Sequence, residues 1–394
     1  MKTAYLTQWF FGILSLFSRF FFKKDRNRVV LTAFHGDGFR GNTKALFLAL
    51  QTHPTLKPVW LSRNEEVVQD LKHHYGVHAA FLTHSLSGLK LLGEANAIFL
   101  THGTSDYPFM RLPRHAACIQ SYHGLPTKRG EYMRPKHEGE PNYLHKLILR
   151  YRFNPITHFL STSPSCTEIF SKRFNIPSSK FIETGYPAYD ELIKQKRNPS
   201  FFKTLIPDFN QKDSFILYAP TFRRLSNTRW FPFKDQDLNK LGSFLESNNL
   251  WMGLRPHPND RFNFEDIFKS SNRFVLITQE DIEEIEPILI HTDLIITDYS
   301  SIFIEGLLRD IPSIFIPYDK DSYERGFPFD YNQMICGPTV FTQQDLAIEI
   351  KRSLLNTEYF AKERSATKQF FFTTTEAKAT ERVLDLLEEL SKTS

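Results

Sequence analysis

The stretch DLIITDYSSIFIEGLLRD, residues 293–310, ends an apolar run at Thr297-Asp298 and opens a helix-like run at Tyr299-Ser300-Ser301. Hydroxyls and free backbone N–H groups at such a junction suit a phosphate. An ordinary serine N-cap accounts for one serine but not for Thr297, Ser300 and Ser301 together. Glu305 follows on roughly the same side as Ser301, where a carboxylate could bind ribose hydroxyls or be a solvated helix charge. LYAPTFRR and LRPHP each run from a strand into a proline-stiffened turn. The first presents Thr221, Arg223 and Arg224; the second presents Arg255 and His257. The arginine fork matches phosphate oxygens. QSYHGLPTKRG, residues 120–130, ends another strand-like run in a loop with His123, Lys128 and Arg129. An imidazole there suits proton removal from an alcohol, although a lone histidine is more often structural. A second His-Gly, His102-Gly103, closes the preceding strand-like run and ranks lower because no cation adjoins it.

Two motifs point elsewhere. Gly36-Asp37-Gly38-Phe39-Arg40-Gly41 spells G-x-G-x-x-G between strand-like VVLTAF and helix-like TKALFLALQ. That is the surface form of a dinucleotide fingerprint and would make the chain an oxidoreductase. Its would-be ribose partners, Glu65 and Glu66, sit where any surface helix begins. Asp235-Gln236-Asp237 spells D-x-D, but in a polar loop rather than at a strand end, as chance would place it. There is no Walker A sequence and no H-E-x-x-H. Cys118, Cys166 and Cys336 are scattered, which favours a reducing setting and gives no zinc spacing. The residues in view call for no metal.

The elements that must hold these loops alternate along the chain. VVLTAF, KPVWLSR, AAFLTH, NAIFLTHG, ACIQSYHG, THFLSTS and KFIETGYP read as strands, with helix-like runs between several of them. Residues 194–213, rich in charge and proline, break the pattern and read as a linker. SFILYAPTF, LWMGLRPHP, RFVLITQ, DLIITD and PSIFIPYD then resume it, and TEAKATERVLDLLEELS reads as a C-terminal helix. This predicts two α/β halves of parallel sheet with a cleft between them, and ligands at the carboxyl ends of strands. A length of 394 residues fits two domains, and 41% hydrophobic with 24% charged residues is a globular composition.

The formal charge is only +5, yet residues 111–152 concentrate Arg111, Arg114, Lys128, Arg129, Arg134, Lys136, Lys146, Arg150 and Arg152. Such a stretch suits anionic partners: phosphates, nucleic acid or an anionic membrane. The first 28 residues are apolar and aromatic, then basic. They are neither a secretory signal nor a good spanning helix. Leu6, Trp9, Phe10, Ile13, Leu14, Phe17 and Phe21 recur at helical spacing, with Gln8, Ser15, Arg19 and Lys23 on the narrower polar side. An interfacial membrane helix with a basic collar is expected; the plainer alternative is a helix packed on the protein's own core.

The block from DLIITDYSS through YERGFPFDY, with Gly337-Pro338, closely resembles the CDP-glycerol glycerophosphotransferase family of teichoic-acid-type polymer synthesis, as do YHGLPTK, LYAPTFR, RPHP and ETGYPAYD. The resemblance runs in order from about residue 29 to the C-terminus. It implies a GT-B type fold: residues 1–28 as a membrane-associating segment, 29–193 as a Rossmann-like acceptor domain, 194–213 as linker, and 214–394 as a Rossmann-like CDP-alcohol domain. It implies transfer of glycerol phosphate, or a related polyol phosphate, from a CDP-polyol to a hydroxyl of a lipid-linked or growing polymer. CMP would be released at the cytoplasmic face of the membrane, with no cofactor and no nucleic-acid partner.

By motif, His123 and His257 fall on the family's two prominent histidines. Thr297, Ser300 and Ser301 fall on its pyrophosphate contacts, beside Asp298 and Glu305. Lys128, Arg223 and Arg255 are expected to steer phosphate and offset leaving-group charge, with His123 as base. Three departures are visible: Glu305 for an expected Asp, Tyr189 for Asn beside a retained Asp190, and Thr375-Glu376 for Asp-Gly. They leave the choice of polyol and acceptor open. The rival readings are a GT-B glycosyltransferase with a nucleotide-sugar donor, the oxidoreductase, and a polymer-binding protein without activity.

Overall fold

The computed structural model describes residues 2–133, 143–223, 228–260, 262–323 and 325–393. The chain forms two compact units. The first comprises Met1–Gly124, Gly130–Glu191 and Glu376–Ser394; the second comprises Leu125–Arg129 and Leu192–Thr375.

Each unit is built on one parallel sheet. In the first, β1 (Arg28–Leu31), β2 (Lys57–Ser62), β3 (Ala80–Leu82), β4 (Ala97–Leu100), β5 (Ala117–Gln120), β6 (His158–Leu160) and β7 (Phe181–Ile182) lie in the order β3-β2-β1-β4-β5-β6-β7. In the second, β8 (Ser214–Tyr218), β9 (Leu250–Leu254), β10 (Phe274–Leu276), β11 (Leu294–Thr297) and β12 (Ser313–Phe315) lie in the order β10-β9-β8-β11-β12. The central strands are apolar on both faces: Val29, Val30, Leu31, Ile98, Phe99, Leu217 and Ile295 are all buried. A sheet covered by helices on both sides requires that. Both orders reverse direction once, between β1 and β4 and between β8 and β11. At such a point the loops leaving adjacent strands diverge and open a crevice for a ligand.

Helices start where side chains can take the orphan N–H groups of the first turn. Asn64, Ser85, Ser163, Asp237 and Thr342 each accept from a backbone N–H two or three residues on. Asp237 is thereby the cap of Leu238–Ser247, while Asp235 accepts from Gln343 N and Gln344 N. The D-x-D is a pair of helix anchors.

Two segments depart from expectation. The linker is docked: Phe202 is buried and stacks on Phe215 at 3.9 Å, and Asn198 N donates to His291 Nε2 at 2.8 Å. The C-terminal helix, Ala379–Thr393, expected with the second half, belongs to the first unit. Asp190 of the G-Y-P block sets it there, accepting from Ala379 N at 2.9 Å and Thr380 N at 2.8 Å.

The N-terminal helix, Lys2–Phe21, forms as expected but faces the opposite way to a core-packed amphipathic helix. Ser15 is buried; its Oγ accepts from Arg111 N at 2.8 Å and donates to Gly12 O. Gly12 has no room for a side chain, because a Cβ would meet Phe109 O at 2.8 Å. Trp9, Phe10, Ile13 and Phe17 are 47–60% exposed, and Leu6 and Phe21 are more so. The small and polar side packs inward, leaving a hydrocarbon stripe outside. Among the described residues, no helix is long and apolar enough to cross a membrane.

Candidate functional site

In the first unit the register Leu100↔Gln120 sets the residues following β4 beside those following β5. Val30↔Ile98 does the same for β1 and β4. His35, His102 and His123, each a few residues beyond its strand, therefore meet at the switch point. The rings of His102 and His123 stack at 3.9 Å and 6°, and His35 lies 4.2 Å from His102. Phe34 and Tyr122 flank His123.

His123 Nδ1 lies 3.1 Å from the carbonyl oxygen of Thr101. A carbonyl only accepts, so Nδ1 carries the proton and Nε2 keeps its lone pair. Desolvation by the surrounding rings, with the charges of Arg173 and Arg152, holds the His123 pKa below the ordinary imidazole value, although its outer edge remains exposed to solvent. His102 is pushed further, to about 2, by desolvation and by His123 itself. Both are neutral near neutral pH.

Asp106, fully buried, ties the loops together. It accepts from His35 N at 2.8 Å, His102 N at 2.8 Å, Thr101 N and the Thr101 hydroxyl. Donor atoms of His35, His102 and Asp106 lie within 4.8 Å of one another, close enough for a metal. The carboxylate's lone pairs are already spent on the loops, so the trio works as a knot of the fold. The G-x-G-x-x-G is part of the same knot. Gly36, at φ +83°, approaches so closely that a Cβ would stand 2.7 Å from Asp106 O. Gly36 serves that contact, while Gly38 and Gly41 lie against Phe34, over whose ring Arg40 stands at 3.7 Å.

In the second unit the loops after β8, β9 and β11 converge in the same way, with Tyr218 paired to both Leu254 and Ile296. Here several expected ligand residues prove to be internal braces. Arg223 is 3% exposed. Its guanidinium binds Asp319 through Nε and Nη2, both at 2.8 Å, Asp298 through Nη2 at 2.7 Å, and Thr221 O through Nη1. Burial alone would lower its pKa; the bonds to Asp319 and the charge of Asp298 raise it instead. Asp298 is buried and also accepts from Thr221 N at 2.8 Å. Thr297 is buried and donates to Ala219 O at 2.7 Å. Arg255 spends its fork on the carbonyls of Ile277, Thr278 and Glu283. These four residues shape the crevice. Arg224, expected beside them, lies outside the described residues.

The groups left facing outward are fewer. Ser300 and Ser301 are partly exposed at the start of Ile302–Gly306. The Thr221 hydroxyl is buried and has no partner among the described residues. His257 is exposed and stacks on Phe222 at 4.8 Å. Its Nδ1 accepts from Asn259 N at 3.2 Å, so a neutral ring carries its proton on Nε2. Desolvation, then the charge of Lys128, lowers its pKa. Lys128, expected alongside His123, belongs with the second unit, as does Arg129, whose Nε donates to Phe327 O at 2.8 Å. The two histidines thus present opposite faces of the same chemistry, a basic nitrogen on His123 and an N–H on His257.

Glu305 is 8% exposed, and burial followed by the charge of Glu286 raises its pKa to about 8. It is a protonated carboxyl at neutral pH, not the expected carboxylate, and accepts from Ser301 Oγ at 3.3 Å. Beside it the YERGFPFDY block forms an aromatic wall: Tyr299 packs on Tyr323, Phe327 and Tyr331, and the Tyr331 hydroxyl donates to Asp298 O at 2.7 Å. Glu324 of that block lies outside the described residues.

A profile of the family described as CDP-Glycerol:Poly(glycerophosphate) glycerophosphotransferase matches residues 14–389. The chain belongs to this family. Among the glycerophosphotransferase relatives, the teichoic acid glycerol-phosphate transferase of Staphylococcus aureus is 25% identical, over 91% of this chain and 92% of its own. The teichoic acid ribitol-phosphate primase of Bacillus spizizenii is 24% identical over 92% and 90%. Against longer relatives, such as the poly(glycerol phosphate) polymerase of Bacillus subtilis at 26% identity over 89% of this chain, the match spans only 47% of the relative. The fold is that of the wall teichoic acid polymerase TagF, with a TM-score of 0.77 at 20% identity, covering 98% of this chain and 93% of that one.

Sequence reasoning ranks His102 below His123, counts Arg152 only within the basic stretch, and does not single out Asp106 or Asp319. The signal for His102 was present: two His-Gly pairs ending consecutive strands must lie side by side if those strands are neighbours. Its missing cation is Arg152, distant in sequence, whose Nε donates to His102 O at 2.7 Å.

Proposed function

We propose that this glycerophosphotransferase-family chain moves glycerol phosphate, or a related polyol phosphate, from a CDP-polyol to a hydroxyl of a lipid-linked or growing cell-surface polymer. The observation that carries the roles is the tautomer pair: His123 with a free Nε2 lone pair, His257 with an Nε2–H. His123 takes the proton of the acceptor hydroxyl. The oxygen attacks the phosphorus that bears the polyol, a new P–O ester forms, and the bond to the CMP oxygen breaks. His257 N–H and Lys128 offset the charge that develops on the phosphates, with the hydroxyls of Ser300 and Thr221 as further donors. Glu305, protonated, offers the donor's sugar a neutral hydrogen bond. The displacement is complete without a cofactor, since the donor carries its own leaving group.

The exposed stripe of the N-terminal helix, followed by Lys23, Lys24, Arg26 and Arg28, suits the surface of an anionic bilayer. Such a surface is where a lipid-linked acceptor would be met, and the cytoplasmic face is where CDP-polyols are available. Phosphorus NMR tests the reaction, with CDP-glycerol, CDP-ribitol or a UDP-sugar offered beside a membrane or short polyol-phosphate acceptor. CMP formed only with a CDP-polyol and acceptor is expected. A UDP-sugar consumed instead would make the chain a sugar transferase.

A further inference from the structure

The first unit contains a cavity of about 1020 Å³ that is lined by none of the three clustered histidines. Its cationic side is Arg111, Arg114 and Arg150; its apolar side includes Leu16, Phe109 and Leu147. Among the described residues, no aspartate or glutamate lines it. Among the described residues, none of the three guanidinium groups is paired with a carboxylate. Three uncompensated cations around a partly apolar space favour an anion that carries hydrocarbon. The surroundings agree. Leu16 belongs to the N-terminal helix with its exposed apolar stripe. Leu147 and Arg150 belong to the helix Tyr143–Phe153, where Tyr143, Leu144, Ile148 and Tyr151 are 55–77% exposed. The cavity therefore lies between two helices that turn hydrocarbon outward. The loop that supplies Arg111 is pinned to the first of them by the bond from Arg111 N to Ser15 Oγ.

We propose that this cavity binds the phosphate end of an amphiphile: a phosphate or diphosphate ester with a long hydrocarbon tail, its anion on the three arginines and its tail along the apolar side. Two sources share that chemistry, a bilayer phospholipid and the lipid anchor of the acceptor. The cavity rests on the proposed function for its purpose but not for its chemistry, so it is tested without turnover and without a bilayer.

The test is calorimetry on the full chain with soluble probes: farnesyl diphosphate, dihexanoyl phosphatidic acid, farnesol and inorganic phosphate. Binding of farnesyl diphosphate or dihexanoyl phosphatidic acid is expected, at least about tenfold tighter than either farnesol or inorganic phosphate. A preference for the diphosphate assigns the acceptor anchor; a preference for phosphatidic acid assigns the bilayer. The triple variant R111Q/R114Q/R150Q, altered only at exposed side chains, should lose about tenfold or more in affinity with an unchanged circular dichroism spectrum. A W9S/F17S variant should lose vesicle binding yet keep the soluble amphiphile, which separates failure of the membrane reading from failure of the cavity. No binding of either amphiphile, or full binding by the triple variant, overturns the proposal.

Discussion

Replacing Glu305 by Gln should stabilise the second unit, and by an amount that depends on pH. The wild-type carboxyl is buried, with its pKa raised from 4.5 to about 8. Below pH 4.5 it is protonated whether the chain is folded or not, and contributes nothing. Between there and pH 8 the unfolded chain releases a proton that the folded chain keeps. Stability then falls by about 1.4 kcal/mol per pH unit. At pH 7 the accumulated cost is about 3 kcal/mol. Glutamine never ionises, and its amide oxygen can still accept from Ser301 Oγ. E305Q should therefore match the wild type near pH 4.5 and exceed it by about 3 kcal/mol at pH 7, or roughly 6–12 °C in the melting of a unit this size. Urea unfolding of both proteins from pH 4.5 to 9 gives the difference directly. A gap that stays constant across that range would refute the reasoning, because it would mean that the carboxyl is ionised in the fold. Donor binding should survive E305Q and weaken in E305A if the side chain hydrogen-bonds the donor.

The histidine roles make a separate prediction. H123N should lower kcat at least about a hundredfold with donor affinity kept. In the wild type, activity should be lost as pH falls through the His123 pKa, so the acid limb of kcat/KM should lie below 6.5. R223L should cost the second unit about 3–5 kcal/mol in denaturant, because Asp298 and Asp319 lose their shared cation. Unchanged stability would return Arg223 to the donor phosphates. W9S/F17S should reduce co-sedimentation with anionic vesicles at least about tenfold while leaving thermal unfolding unchanged, since both side chains are already exposed.

The strands and the loops after them were legible because a parallel strand buried on both faces must be a short apolar run, and chemistry collects at its carboxyl end. VVLTAF, LYAPTF and DLIITD show this directly. Side-chain destinations were less legible. Arg223 and Thr297 carry the residue types of a phosphate site, and type alone does not say whether a fork closes on a ligand or on Asp298 and Asp319. Burial decides that, and for Arg223 burial depends on the aromatic wall of Tyr299, Tyr323, Phe327 and Tyr331, far along the chain. Glu305 looked like a carboxylate because sequence shows its charge but not its solvent. The N-terminal helix was read correctly as amphipathic, while its inward polar side follows from one serine and one glycine against the loop at Phe109 and Arg111. The helices Pro164–Phe174 and Gln343–Leu355 went unremarked although Ser163-Pro164 and Thr342 announce their starts.

The return of residues 376–394 to the first unit has a consequence during synthesis. A ribosome that has made the first seven strands must add about 210 more residues, roughly ten to forty seconds of translation, before the segment that completes that unit exists. Until then the carboxylate of Asp190 has no helix to hold, and the surface that Val383 and Leu387 will cover stays open. The order of birth along the chain is therefore not the order of completion, and the first half to be made is the last that can close.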